Sequence, residues 1–309
     1  MILTVFGLVL TMLFYMSIGF VVCKAKVGTP AHAKTLSAIL LYVLGPAMII
    51  NSFMRIEYSR ETLTNIGIFF ATTLVTQSAF FLILYCILHR KYADAKYRIM
   101  TLASVLGNVG YFGLPLVNSI FPDQPIVSCY SSVHVMSMNL LVFTVGTYLI
   151  TNDKKYMSVK SAIFNPTTIG IVIALPIFIF QVQFPTAVSD TVMLLAKMVS
   201  PVCMMILGMR LSTVSLKVLF TQRFVYMACL MKLVVYPTFA FLCVHFIPFF
   251  SNTFKVSVFA LAAAPSGAII ESLSEMHEVN QELAANVVLL TTIMCILTLP
   301  LVISFYMMF

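Results

Sequence analysis

Residues 107–115 read GNVGYFGLP and lie inside the apolar run LASVLGNVGYFGLPLVNSIF. Three glycines, a proline and an asparagine in nine residues make a poor helix interior. Glycine loses more backbone entropy than other residues, proline has no N–H to donate, and a buried amide needs partners. A second stretch from Val256, VSVFALAAAPSGAIIESLSE, places small residues and Pro265 in the middle of another apolar run. Unwound backbone inside hydrocarbon is tolerated only against protein or a water-filled cavity. Both breaks therefore point inward, toward something that uses the freed backbone groups.

The surrounding chain makes hydrocarbon the right solvent to consider. Of 309 residues, 61% are hydrophobic and 9% charged, whereas soluble proteins carry about 25% charged residues. Uncharged runs cover 1–23, 35–54, 62–88, 99–122, 124–152, 161–189, 233–254 and 283–309. Each is long enough to cross about 30 Å of hydrocarbon as a helix. Two further segments, about 191–209 and 256–270, carry few charges. The expectation is an all-α integral membrane protein with ten spans. Polarity does not alternate along the runs, which argues against a barrel. MILTVFGLVL lacks a basic leader, so the first run reads as a span and not as a cleaved signal. The loops leave no room for a soluble domain. The seven cysteines show no C-x-x-C spacing and read as small buried apolar residues. No His or Cys cluster suggests a metal, and no cofactor is expected.

Of the 18 Lys and Arg, 13 follow odd-numbered spans: Lys24, Lys26, Lys34, Arg90, Lys91, Lys96, Arg98, Lys154, Lys155, Lys160, Arg210, Lys217 and Arg223. The positive-inside rule then places those loops in the cytoplasm and both termini outside the plasma or inner membrane. The net charge of +8 is thus a topology signal, and no nucleic-acid partner is expected.

Five spans lie on each side of a basic linker, giving repeats at 1–150 and 165–309 joined by 151–164. LLYVLGPAMIINSFMR in span 2 and LLAKMVSPVCMMILGMR in span 7 align Leu40 with Leu195, Pro46 with Pro201, Met54 with Met209 and Arg55 with Arg210, all 155 residues apart. An odd number of spans per half inverts the second half, and matched interruptions in inverted repeats mark transport sites. The two broken helices are the crossover spans 4 and 9. Half-helices starting near Leu114 and Ser266 would aim two positive N-terminal ends at the membrane midplane, an anion site that needs no buried arginine. Asn108 can add side-chain donors.

At these residues the chain resembles the auxin efflux carrier family, which includes plant auxin carriers and bacterial malate or malonate permeases. GNVGYFGLP at 107–115 looks like the family's span 4, APSG at 264–267 like its span 9, and NVVLLTTIMCILTLPLVISFY at 286–306 like its last span. The absence of a long soluble loop fits the bacterial permease branch. The resemblance implies a fold like that of the bile-acid/sodium symporters. Spans 1, 2, 6 and 7 would form a scaffold, spans 3–5 and 8–10 a mobile unit, and transport would follow an elevator-like alternating access. It also implies a homodimer through the scaffold. Substrate contacts would come from Asn108, Gly110, Tyr111, Gly113, Pro115, Pro265, Ser266 and Gly267.

The chain departs from that pattern at Glu271, where the family carries an apolar or aromatic residue. Glu271, Glu275, Glu278 and Glu282 fall at i, i+4, i+7 and i+11, one face of a continuous helix. The last three read as a solvated cytoplasmic end. Glu271 lies about 9 Å beyond Pro265 along a helix axis. It either carries a coupling proton, snorkels, or pairs with a basic group such as Lys232. Lys197 and Lys232 read as snorkelling to the headgroups, with substrate attraction as the alternative. Gln77, His134, Asn139 and Asn286 either line the site or make helix–helix hydrogen bonds. The leading reading is a secondary transporter or exchanger of small organic carboxylates. The alternative is a sodium- or proton-coupled symporter using the acidic face of span 9. No phosphate-binding loop, no intramembrane Asp pair and no nucleophile motif around Ser266 or His134 supports an enzyme.

Overall fold

The computed structural model describes residues 2–29 and 31–306. Residues 307–309, the end of the last uncharged run, lie outside that range. The described chain is helical throughout, with one isolated antiparallel bridge between Gly107 and Ser266. Eight described helices are long and apolar enough to cross a membrane. They are α1 (Ile2–Lys24), α2 (His32–Met54), α3 (Arg60–Leu88), α6 (Ile126–Thr151), the stretch Lys154–Ile179, whose main helix is α7 (Pro166–Ile179), α8 (Thr186–Leu211), α9 (Arg223–His245) and α12 (Gln281–Tyr306). The other two expected spans are each split. Run 99–122 is α4 (Ala95–Val105) followed by α5 (Gly113–Ile120), and the second broken segment is α10 (Asn252–Ala263) followed by α11 (Ile269–Met276). At 1.5 Å per residue none of these four halves alone covers about 30 Å.

Helix starts follow local chemistry. Ser59 caps α3 by accepting from Thr62 N–H at 2.9 Å, Asp94 caps α4 through Lys96 N–H at 3.0 Å, and Ser251 caps α10 through Phe254 N–H at 3.2 Å. Asn165 caps α7 through Thr168 N–H at 2.9 Å, with Pro166 opening the helix, where its missing N–H costs nothing.

α1 packs on α8, α8 on α2, and α2 on α7. The approach of α1 to α8 is set by glycine. A Cβ at Gly208 would overlap the Met16 carbonyl, and one at Gly19 would overlap the Met205 carbonyl. Gly170 of α7 similarly rests on Pro46 of α2, where a Cβ would lie 3.2 Å from the proline Cα. Such small-residue contacts let dispersion drive association where lipid removes the hydrophobic incentive. α3, α6, α9 and α10 are joined through aromatic rings. Phe69 stacks on Tyr130 at 4.2 Å and meets Phe254 edge-on at 4.9 Å; Phe80 reaches Tyr236 at 5.1 Å.

Two sequence expectations change here. Span 8 runs from Arg223 to His245 and not over 233–254. Taking Lys232 as a boundary shifted the span by about ten residues, because the lysine sits inside the helix. The four glutamates do not share one helix: α11 stops at Met276, Glu278 and Asn280 take left-handed φ values of 54° and 42°, and Glu282 belongs to the first turn of α12.

Candidate functional site

The two interruptions meet. Between α4 and α5 the chain leaves the helix at Leu106 with ψ 107°, and between α10 and α11 it leaves at Ala264 with ψ 145°. The extended pieces pair: Asn108 N–H donates to Pro265 O at 2.7 Å and Gly267 N–H donates to Leu106 O at 2.9 Å. This bridge satisfies backbone groups that both broken helices would otherwise leave unpaired. It also accounts for Gly267, where a Cβ would lie 3.0 Å from the Gly107 carbonyl oxygen and 3.2 Å from its carbon, both immovable backbone.

Ser266 is fully buried. Its hydroxyl donates to Ala103 O at 2.9 Å and its N–H to Thr291 Oγ1 at 3.2 Å, tying the bridge to α4 and α12. Asn108 is buried and aims its amide at Cys203 Sγ of α8, 3.7 Å away, a weak contact that leaves the amide open to a better acceptor. Gly110 faces α6 and α2, with a Cβ falling 3.0 Å from Val135 and 3.6 Å from Met48. Tyr111 O accepts from Ser200 Oγ at 2.6 Å, and its hydroxyl lies beside Gly45. Gly113 opens α5 under Leu261 of α10. Pro115 sits in the first turn of α5, past the break, where its missing N–H is harmless. The first break therefore faces the segments around Pro46 and Pro201, the pair matched 155 residues apart in the sequence.

The second half-helix starts at Ile269, three residues later than Ser266, because 264–268 are used by the bridge. Both α5 and α11 begin without a side-chain cap. Backbone carbonyls cover these first turns in part: Gly113 N–H donates to Asn108 O at 2.9 Å and Ile270 N–H to Gly267 O at 3.1 Å.

The remaining sequence candidates are buried polar groups on the surrounding helices. Gln77 donates to Ser137 Oγ at 2.9 Å within the α3–α6 interface. Asn139 reaches Asn165 at 3.4 Å, and Asn286 donates to Gln222 Oε1 at 3.1 Å. These are helix–helix hydrogen bonds of the kind weighed against a lining role. His134 is buried with Nδ1 unpartnered. Glu271 is buried and pairs with Arg210 of α8, not with Lys232: Arg210 Nη1 lies 2.6 Å from Glu271 Oε1 and 3.5 Å from Glu275 Oε1. Arg210 lies in the last turn of α8.

Lys232 does not snorkel. It is 0% exposed, and its Nζ donates to Ala262 O at 3.1 Å and Val105 O at 3.4 Å, beside the bridge. Sequence reasoning undervalued it because span 8 was drawn from 233. Placing the interface at Arg223 instead puts Lys232 about 13 Å deeper, far from any headgroup. Lys197, by contrast, is exposed.

Interrupted helices that cross within a shell of apolar spans define a multi-pass integral membrane transporter. The chain is similar over 302 residues to an uncharacterized transporter of Methanocaldococcus jannaschii, 25% identical and covering 95% of this chain and 94% of the relative. It is also similar over 302 residues to an uncharacterized transporter of Methanothermobacter thermautotrophicus, 24% identical and covering 95% of each. A family model described as membrane transport protein matches residues 4–159 and 150–303. The chain belongs to this auxin efflux carrier-like membrane transport family and is a transporter, not an enzyme.

Proposed function

We propose that this protein is a secondary transporter or exchanger of small organic carboxylate anions, with the substrate held where the two interrupted helices cross. The observation that carries this reading is the pair of uncapped N-termini, α5 and α11, opening beside Asn108 at the Gly107–Ser266 bridge. Each contributes about half a positive charge, and Asn108 adds a side-chain donor. A carboxylate fits this chemistry.

In this reading the chain makes ten crossings in two inverted five-helix repeats. Each split pair, α4–α5 and α10–α11, counts as one crossing. α1, α2, α7 and α8 would be the scaffold, and the crossing would ride with the remaining helices in an elevator-like motion past Pro46 and Pro201. Both termini would lie outside the cell membrane, and two copies would dimerise through the scaffold. The sodium- or proton-coupled alternative built on the acidic face of α11 has less support, since Glu271 is held by Arg210.

Counterflow uptake in proteoliposomes with labelled mono- and dicarboxylates tests the reading. The expected result is saturable exchange in the wild type and at least a tenfold loss in Asn108→Ala, with the variant still monodisperse after purification. Undiminished exchange in Asn108→Ala would remove the crossing as the site.

A further inference from the structure

A charged side chain deep in a span is costly unless something at that depth needs it. Lys232 rides on a π-type turn, Met231–Val235, directly ahead of Pro237. Such turns re-aim side chains and recur at functional positions. Both carbonyls that accept from its Nζ, those of Val105 and Ala262, belong to the last turns of α4 and α10. Those are the two half-helices whose C-terminal ends meet at the bridge. Their usual partners are lost: Ser266 N–H, which an unbroken helix would aim at Ala262 O, donates to Thr291 instead, and Val109 lies outside any helix. The third side of the amine faces the Tyr236 ring, 4.7 Å from Nζ to the centroid. Three donors, two carbonyls and an aromatic face match an ammonium. No described carboxylate lies within salt-bridge distance of Lys232. Gly107 leaves the space, since a Cβ there would sit 2.9 Å from Nζ. Besides Tyr236, His134 is a titratable side chain within electrostatic reach.

The charge balance at the crossing follows. Each helix terminus acts as about half a charge. The C-terminal ends of α4 and α10 together carry about −1, which the ammonium cancels. Glu271 in the first turn of α11 is neutralised by Arg210, so the uncapped N-terminal ends of α5 and α11 carry about +1, which an anion would cancel. Without the lysine, the four ends would sum to zero, and binding an anion would call for a free cation beside it. Unwound carbonyls of broken helices coordinate sodium in other transporters; here the corresponding oxygens hold a side chain.

We propose that Lys232 is a built-in counter-cation that makes the crossing a one-ion site, so that a carboxylate binds and moves without a co-bound sodium or other free monovalent cation. The anion half rests on the carboxylate reading above; the cation half rests on Lys232 alone, and the test separates them.

Exchange by the wild type is measured with sodium or N-methylglucamine as the bulk cation, and should agree within twofold. Lys232→Ala vacates the site and should lose at least tenfold in N-methylglucamine, with most of the loss recovered in sodium or methylammonium. Independently of transport, the melting temperature of purified Lys232→Ala should rise with methylammonium or sodium, while that of the wild type should not. Lys232→Gln replaces it in both arms if the alanine variant does not fold. Sodium-dependent exchange by the wild type, full sodium-free activity of the variant, or a variant melting temperature indifferent to both cations would each overturn the proposal. Absence of carboxylate exchange by the wild type in every medium would instead sink the anion reading, and the melting experiment would still decide the role of Lys232.

Discussion

The Arg210–Glu271 pair offers a quantitative test of how the two parts of the molecule are held together. Arg210 closes α8 and Glu271 lies in the first turn of α11, so the pair links the α1–α2–α7–α8 group to the second broken helix. Their side chains are 15% and 5% exposed, the charged atoms are 2.6 Å apart, and Glu271 Oε2 has no partner of its own. Arg210→Met leaves a buried carboxylate with no basic neighbour, a change that costs about 3–5 kcal/mol. The lost contact to Glu275 adds little to this: its side chain is half exposed, and pairs of that kind are worth at most about 1 kcal/mol. An unfolding entropy of about 2.1 cal/mol/K per residue over 309 residues gives about 0.65 kcal/mol per degree, so Arg210→Met should lower the melting temperature by about 5–8 °C. Removing both charges, as in Arg210→Met with Glu271→Leu, should recover most of that loss, because the cost lies in the stranded charge and not in the missing attraction. Thermal unfolding of the four proteins in one detergent gives the complete cycle. Wild-type stability in Arg210→Met, or a double variant that melts below both singles, would refute the reasoning.

Other outcomes follow from the same geometry. Gly267→Ala forces a methyl against the Gly107 backbone at 3.0 Å, so the paired segments must shift apart by a few tenths of an ångström; exchange should fall at least tenfold and the melting temperature should drop. Gly67→Ala, whose added methyl meets nothing within 4 Å, is the control and should be neutral or stabilising by up to about 1 kcal/mol. Asn165→Ala removes the cap of α7 and should cost about 1–2 kcal/mol in thermal unfolding. Asn139→Ala loses only a 3.4 Å contact to Asn165 and should keep its exchange rate; loss of transport there would return Asn139 to the site.

Much of this protein was legible from its residues because lipid is a strict solvent. Runs of about 20 uncharged residues must be helices, since no other open structure pairs its own backbone in hydrocarbon. The Gly-, Asn- and Pro-rich break at 107–115 and the one around Pro265 were visible for the same reason: each interrupts a pattern that leaves little freedom. Helix starts at Ser59, Asp94, Asn165 and Ser251 are likewise local, each needing only a side-chain oxygen two or three residues ahead of a free N–H.

Partner choice was not local. Whether Glu271 meets Lys232 or Arg210 depends on how α8 packs against α11, and nothing in the residues near Glu271 encodes that packing. The acidic stripe looked continuous because a helical period was extended past Met276, where the left-handed Glu278 and Asn280 end it. Lys232 shows the limit most clearly. In sequence it is a lone charge at the edge of an apolar run; in the fold it occupies the point where two helix C-termini converge. Composition and periodicity determined that this chain spans a membrane and where its helices break. Only tertiary structure decided which charges those breaks hold, because a helix end acquires a partner from whichever segment packs across it, and that segment lies 30 residues away for Ala262 and 127 for Val105.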